Sequence, residues 1–390
     1  MRDVYIVGVS QAPVNRNADL RGRHLAAGVV RNAMSDAGIE APEIDALYVG
    51  NMTAGVLGQQ QQLGSLIADY SGLSGIEAVT TEAACASGAA AARMGWQTIA
   101  GGINDVVVIC GMERMTHADT DSVTQALATA ADRELESSRG ETFLSLNARL
   151  MRAYMEKFRV QAEDFAHFSI NAHGNALSNA HAVFHKAIDA DDHMRSRIIV
   201  DPIRLLDVSP ICNGSAAVIL GSEQVMRRLK PNGAARVCVT ASSAATAPLA
   251  LERRADLLRL EAVEISTKQA FLNAGIGHKD VDFFELHDAY TIMSVLCLES
   301  AGFAPPGTAT AFGQEGRIRL DGDLPISTMG GLKARGHPVG ATGVYQMVEA
   351  YLQLAEQAGN NQIKNPQVAL IQNIGGTAST VVNHVLRRVD

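Results

Sequence analysis

The segments AGIEAPEIDALYVGN (37–51) and AGIGHKDVDFFELHD (274–288) align without a gap. Each reads as a helix end at Ala-Gly, a turn with an N-cap signal, an aspartate (Asp45 or Asp282), and then a buried strand. Further along each half, Cys85-Ala-Ser-Gly88-Ala matches His337-Pro-Val-Gly340-Ala. A helical pattern follows both, and then an apolar run, VVVIC in one half and VALIQ in the other. Any two β-α units show some likeness. Two matches in the same order and at similar spacing point to a duplicated fold.

Working outward, short apolar runs alternate with helical patterns, which predicts sheets covered by helices. VYIVGV (4–9), ALYVGN (46–51), DVVVICG (105–111) and AAVILGS (216–222) read as buried strands of a first half. RVCVTAS (236–242), FFELHD (283–288) and QVALIQNIGG (367–376) read likewise in a second. The halves divide into residues 1–230 and 231–390. Residues 113–207 have another texture, rich in Met, His, Arg and Asp, with helical patterns such as TFLSLNARLMRAYMEKF. This stretch reads as a largely helical insertion, of the kind that forms a substrate lid on a rigid scaffold.

The 390 residues suffice for two cores or one large duplicated one. The composition, 47% hydrophobic and 19% charged, is that of a globular α/β enzyme. A net charge of -8 argues against nucleic acid as a partner. The five cysteines form no CxxC pair, which fits free thiols in a reducing compartment and no structural zinc. No apolar run reaches membrane-spanning length and no signal peptide is read, so a cytoplasmic location is expected.

Cys85, in TTEAACASGAAAARMGWQTIAGG (80–102), precedes a helix of small residues. Two readings compete: a small buried packing residue, or a thiol made nucleophilic by a helix N-terminus, whose N–H groups would also hold an oxyanion. His337, at the matching point of the second repeat, would face the same pocket and serve as the base a thiol requires. His287 follows a buried strand, where open α/β sheets carry active groups. QNIGGTAST (372–380) offers backbone N–H groups at another strand end. His167, His173, His181, His185 and His193 are irregularly spaced and read as surface of the insertion, with no metal site expected.

EAACASGAAA, DVVVICGMERMT, SPICNGSAAVIL, ELHDAYT, GGLKARGHPVGATG and QNIGGTAST together resemble the thiolase superfamily, in its sterol-carrier-type and archaeal-type branch. The resemblance implies a duplicated five-layered α-β-α-β-α thiolase fold with a loop domain inserted in the first half. It implies Cys85 as the acylated nucleophile and His337 as its activator. It implies His287 in one oxyanion hole, and the backbone N–H groups of Cys85 and Gly375 in the other. Coenzyme A is implied as a substrate, with no further cofactor. The expected assembly is a homodimer or homotetramer, with a small OB-fold, zinc-ribbon protein as a candidate partner.

One departure stands out. Family members use a second cysteine as acid/base, and the two positions that carry it are Ala289 and Asn373 here. Cys297 lies two helical turns beyond Ala289, and Cys212 falls in another block. The leading expectation is thiolysis of 3-ketoacyl-CoA or the reverse Claisen condensation. The alternatives are a non-thiolytic or decarboxylative acyl transfer, and an acyl-CoA-binding subunit of a complex.

Overall fold

The computed structural model describes residues 1–229 and 235–389. The expected division at 230/231 lies outside the described residues. The first half supplies strands β1 (Val4–Gln11), β2 (Ala46–Gly50), β3 (Glu77–Thr81), β4 (Val106–Glu113) and β5 (Gly214–Ser222). The second supplies β6 (Arg236–Thr246), β7 (Phe283–Glu285), β8 (Val368–Gly375) and β9 (Thr380–Val389). The principal helices are α1 (Gly22–Ala37), α2 (Leu63–Ser71), α3 (Ser87–Ala100), α4 (Phe143–Phe158), α5 (Ala166–Ala176), α6 (Glu261–Ala274), α7 (Thr291–Ser300) and α8 (Thr342–Leu354).

Duplication is visible at atomic detail. Helix α1 ends at Gly38 and α6 at Gly275, both left-handed with φ 68° and 65°, where glycine escapes the Cβ clash. A short 3-10 turn follows each. Then Asp45 Oδ2 accepts from the N–H groups of Asp105 and Val106 at 2.7 and 2.8 Å. Asp282 Oδ2 accepts from Gln367 and Val368 at 2.7 and 2.8 Å. The same carboxylate clamps the start of the neighbouring strand in both halves.

The nine strands hydrogen-bond in the order β3-β2-β4-β5-β1-β6-β9-β8-β7. From the junction outward, the first half runs β1, β5, β4, β2, β3 and the second runs β6, β9, β8, β7. A parallel bridge from Phe284 to Ile326 stands where a fifth strand would close the second set. Among the described residues, the strands of the two halves pair at Tyr5 with Cys238 and Ile6 with Val237. Strands β4, β5 and β8 are buried along their whole length, which is why their sequences are continuous apolar runs.

Helices α3 and α8 lie between the halves: α3 touches β4 and β9, and α8 touches β5 and β8. Outside them α1 and α2 cover the first half, and α6 packs on β6 and β9. That gives the five layers. The small residues of α3 now have their reason. A Cβ on Gly88 would stand 2.8 Å from the Gly340 carbonyl oxygen, and one on Gly343 would stand 2.4 Å from Ala89 N. Bare backbone is needed where the two N-termini meet.

Two strands of the nine-stranded sheet had no counterpart in the sequence reading. β3 is a largely exposed edge strand without an apolar run, and β9 carries polar Asn383 and His384 in its middle, both buried and hydrogen-bonded. FFELHD forms a strand only over Phe283–Glu285. Between β4 and β5, α4 and α5 take the helical patterns seen in the sequence. Thr142 caps α4 by accepting from Ser145 N at 3.3 Å. The buried face of α4 (Leu146, Leu150, Met151, Tyr154) joins the core of the second half. Among the described residues, no helix is long and apolar enough to cross a membrane.

The contact between α3 and α8 predicts an asymmetric response to glycine replacement. Gly88→Val forces backbone apart and should destabilise by about 3 kcal/mol. Gly28→Ala, on α1 with nothing within 4 Å of the added Cβ, should be neutral or stabilising by about 0.4–1 kcal/mol. Urea unfolding of both variants checks this; equal midpoints would refute the close-contact account.

Candidate active site

From β3 the chain reaches Cys85 through a constrained turn. Ala84 holds φ 52°, a left-handed conformation that L-residues seldom adopt. Ser87 secures the turn: its hydroxyl accepts from Ala83 N at 2.9 Å and donates to the Ala84 carbonyl at 2.5 Å. Cys85 thus sits at a tip just before α3. Its thiol is partly exposed and opens into a cavity of about 840 Å³. His287, His337, Ala289, Tyr290 and Lys333 line that cavity with it. The three residues singled out for chemistry, more than 250 positions apart at the extremes, therefore share one space.

The resting thiol departs from expectation. A helix N-terminus would lower its pKa, yet burial, followed by the nearby Glu113 carboxylate, pushes it up to about 12. Desolvation outweighs the favourable contact of the residue's own N–H. Cys85 is therefore protonated at rest.

The neighbouring rings have complementary proton positions. Thr342 Oγ1 donates to the Pro338 carbonyl at 3.3 Å, so it is free to accept from His337 Nδ1 at 2.7 Å. That places the ring proton on Nδ1 and leaves Nε2 with a bare lone pair. His287 has the opposite arrangement. Its Nδ1 accepts from Ile374 N at 3.3 Å and from Asn373 Nδ2 at 3.2 Å, so its proton sits on Nε2. The ring centroids are 5.1 Å apart, edge to face at 86°.

Both rings are held neutral. Burial, then Arg335 and Lys333, lowers His287 to about 3. Burial, then His287 and Arg335, holds His337 well below the usual histidine range. Arg335 is itself wholly buried, paired with Glu349 at 2.9 Å and donating to the Gly336 carbonyl beside His337 at 2.8 Å. The result is one neutral acceptor and one neutral donor facing a neutral thiol.

Other expectations sort as follows. Asn373 carries no titrating proton and instead orients His287; Ala289 contributes only a methyl to the wall. Gly375 is buried against the Cys85 turn, where a Cβ would meet the Ala83 carbonyl at 2.4 Å, and it is Gly376 that lines the cavity. Cys297 and Cys212 are fully buried outside the cavity wall. The reading of the insertion's histidines as surface fails for two of them. His173 is buried and lines the cavity, while His193 is sealed against Asp207 at 2.9 Å. His173 lies on α5, which packs against the second half, and His193 on a short helix (Ala190–Arg195) that packs against α5. Among the described residues, no group of three or more His, Cys, Asp or Glu is placed to hold a metal ion.

Glu113 and Lys333 were not singled out in the sequence. Glu113 accepts from Asn51 Nδ2, the N–H groups of Met52, Thr53 and Gly340, and the Thr53 hydroxyl. It ties the His337 turn to the loop after β2. The signal was a lone acid closing an apolar strand, DVVVICGME.

Comparison with known proteins agrees with this architecture. Residues 4–224 match the family described as Thiolase, N-terminal domain, and residues 243–388 match Thiolase C-terminal domain-like. The chain is 40% identical over 388 residues to acetyl-CoA acetyltransferase of Methanothermobacter thermautotrophicus, covering 100% of both. It is 29% identical over 395 residues to sterol carrier protein 2 of Gallus gallus, covering 98% of this chain and 71% of that one. The solved Ltp2-ChsH2(DUF35) aldolase superposes with a TM-score of 0.85 at 21% identity, over 99% of this chain and 98% of that one. With these matches and the duplicated fold around Cys85, the chain belongs to the thiolase family of acyl-transferring enzymes.

Proposed function

We propose that the protein forms and cleaves 3-ketoacyl-CoA thioesters through an acyl-Cys85 intermediate, with acetoacetyl-CoA as the simplest case. The observation that carries this is the convergence of Cys85, His287 and His337 on one cavity, with the two rings 5.1 Å apart. His337 Nε2 takes the Cys85 proton as the sulfur attacks the thioester carbonyl. The His287 Nε2–H donates to the thioester oxygen of the acyl-CoA that attacks or departs. The Cys85 and Gly375 N–H groups are assigned to the acyl-enzyme oxyanion. In thiolysis the bond between Cα and the keto carbon breaks, acetyl-CoA leaves as its enolate and is protonated, and CoA then takes the acyl group from sulfur. The name carried by the 40% identical relative supports CoA thioesters as the substrate class.

Ala289 and Asn373 favour a second reading, decarboxylative transfer, in which loss of CO₂ generates the carbanion. CoA-dependent cleavage of acetoacetyl-CoA by the purified protein would exclude it. Self-association through the exposed β3 edge, and a partner protein by analogy with the Ltp2-ChsH2(DUF35) assembly, belong to the same proposal. Light scattering reads the first.

Intact-mass analysis after exposure to acetyl-CoA should show one acetyl group on wild type and none on Cys85→Ala. His337→Ala should acylate about 10²–10⁴-fold more slowly. Acylation of Cys85→Ala to the wild-type level would sink the assignment.

The raised thiol pKa gives a pH signature. Below about 12 the Cys85 thiol is protonated, so iodoacetamide alkylation at this residue should climb about tenfold per pH unit between 7 and 10. A rate already flat from pH 6 upward would mean a resting thiolate and contradict the account.

A further inference from the structure

Claisen chemistry at Cys85 needs a base for the α-carbon of the second acyl-CoA, and neither Ala289 nor Asn373 supplies one. Among the cavity-lining groups, His337 is assigned to the Cys85 proton and His287 is fixed as a donor through its Nδ1 contacts. The Tyr290 phenol is pushed well above its ordinary pKa by burial and by Cys85, and so holds its proton.

Lys333 remains. It is 1% exposed, lines the cavity, and follows the glycine pair of GGLKARGHP. Its Nζ donates to the Asp288 carbonyl at 3.0 Å, the oxygen of the very peptide that joins Asp288 to Ala289. The Asp207 carbonyl accepts a second hydrogen at 3.2 Å. Both acceptors are neutral. The Asp207 carboxylate is taken by His193, Thr291 and Arg204 N, and the Asp288 carboxylate by Leu332 N. The ammonium thus has a third hydrogen left for the cavity, beside Ala289, one of the two positions of the family's second cysteine.

We propose that Lys333 is the acid/base residue for the α-carbon of the second acyl-CoA, a role that rests on the acyl-transfer reading above. In the condensing direction the neutral amine takes a Cα proton, and the electron pair moves onto the thioester oxygen held by His287. The carbanion attacks the acyl carbonyl, the C–C bond forms, and the C–S bond to Cys85 breaks. The Cys85 thiolate takes up one proton and Lys333 releases one, so the balance closes. Thiolysis runs the same steps backward, with the ammonium protonating the enolate. Burial lowers Lys333 to about 8, opposed by Asp288 and Asp207, so both forms are accessible near neutrality. His287, His173 and Arg335 are the other titratable or cationic groups around it.

Two assays on wild type, Lys333→Met and Lys333→Arg test this. Intact mass reads Cys85 acetylation by acetyl-CoA; NMR reads deuterium entry from D₂O into the acetyl-CoA methyl, which needs the α-base. Both variants should acetylate within about threefold of wild type, while exchange and acetoacetyl-CoA formation fall on the order of 100-fold. Wild-type exchange should rise with pH through a midpoint near 8, because the neutral amine is the active form, and both variants should lack that limb. Adding Ala289→Cys to Lys333→Met should restore part of the rate.

Lys333→Arg keeps the charge and cannot release a proton, so wild-type exchange in that variant would overturn the proposal. Equal loss of acetylation and exchange in both variants would reduce Lys333 to a structural tie, and overturn it too. Normal acetylation with unchanged exchange removes the lysine's role alone. A wild type that never acetylates removes the acyl-transfer reading and this proposal with it.

Discussion

The close approach of α3 and α8 is the constraint on which the rest depends. Two helix N-termini, one from each half, meet with Gly88, Gly340 and Gly343 between them, at distances no side chain would permit. Cys85 precedes one helix and His337 leads into the other, so their proximity follows from backbone contact and not from flexible side chains. Glu113 reinforces the junction by accepting from Gly340 N and from the loop after β2 at once. A site assembled this way is held by the central layer of the fold, where movement would disturb both sheet halves.

The electrostatic design follows from burial. Desolvation is the leading influence on Cys85, His287, His337 and Lys333, and in each it disfavours the charged form. A neutral resting site keeps His337 in its base form and His287 in its donor form across the working pH range. Arg335 stands behind both rings as a fixed positive charge whose partner is Glu349, so it discourages imidazolium without competing for substrate. On the proposed reading, Cys85 becomes nucleophilic only when His337 and an incoming carbonyl are both present.

The insertion adds more than a cover. His173 reaches the cavity, and Asp207 near its end joins His193, Thr291 and, through its carbonyl, Lys333. The insertion is thereby wired to the strand end that carries His287 and Ala289. Substrate-facing and catalytic parts of the wall share one buried polar network, and buried networks of this kind hold their members only when every partner is in place.

The sequence alone determined the duplication, because Asp45 and Asp282 with their flanking turns are local signals that repeat in order. It determined the strands that are buried on both faces, since apolar runs report burial directly, and it marked Cys85, His337 and His287 through motif and repeat. It did not disclose β3 or β9, where an exposed edge and buried polar residues hide the strand pattern. Nor did it disclose the thiol's raised pKa, which depends on how much water the cavity excludes. The tautomers of the two histidines were set by Thr342, Ile374 and Asn373, partners chosen by folding. Lys333 carries no signal of its own in the glycine-rich loop; only the tertiary structure buries it beside Ala289, because the carbonyls that hold it belong to Asp207 and Asp288, distant in the chain.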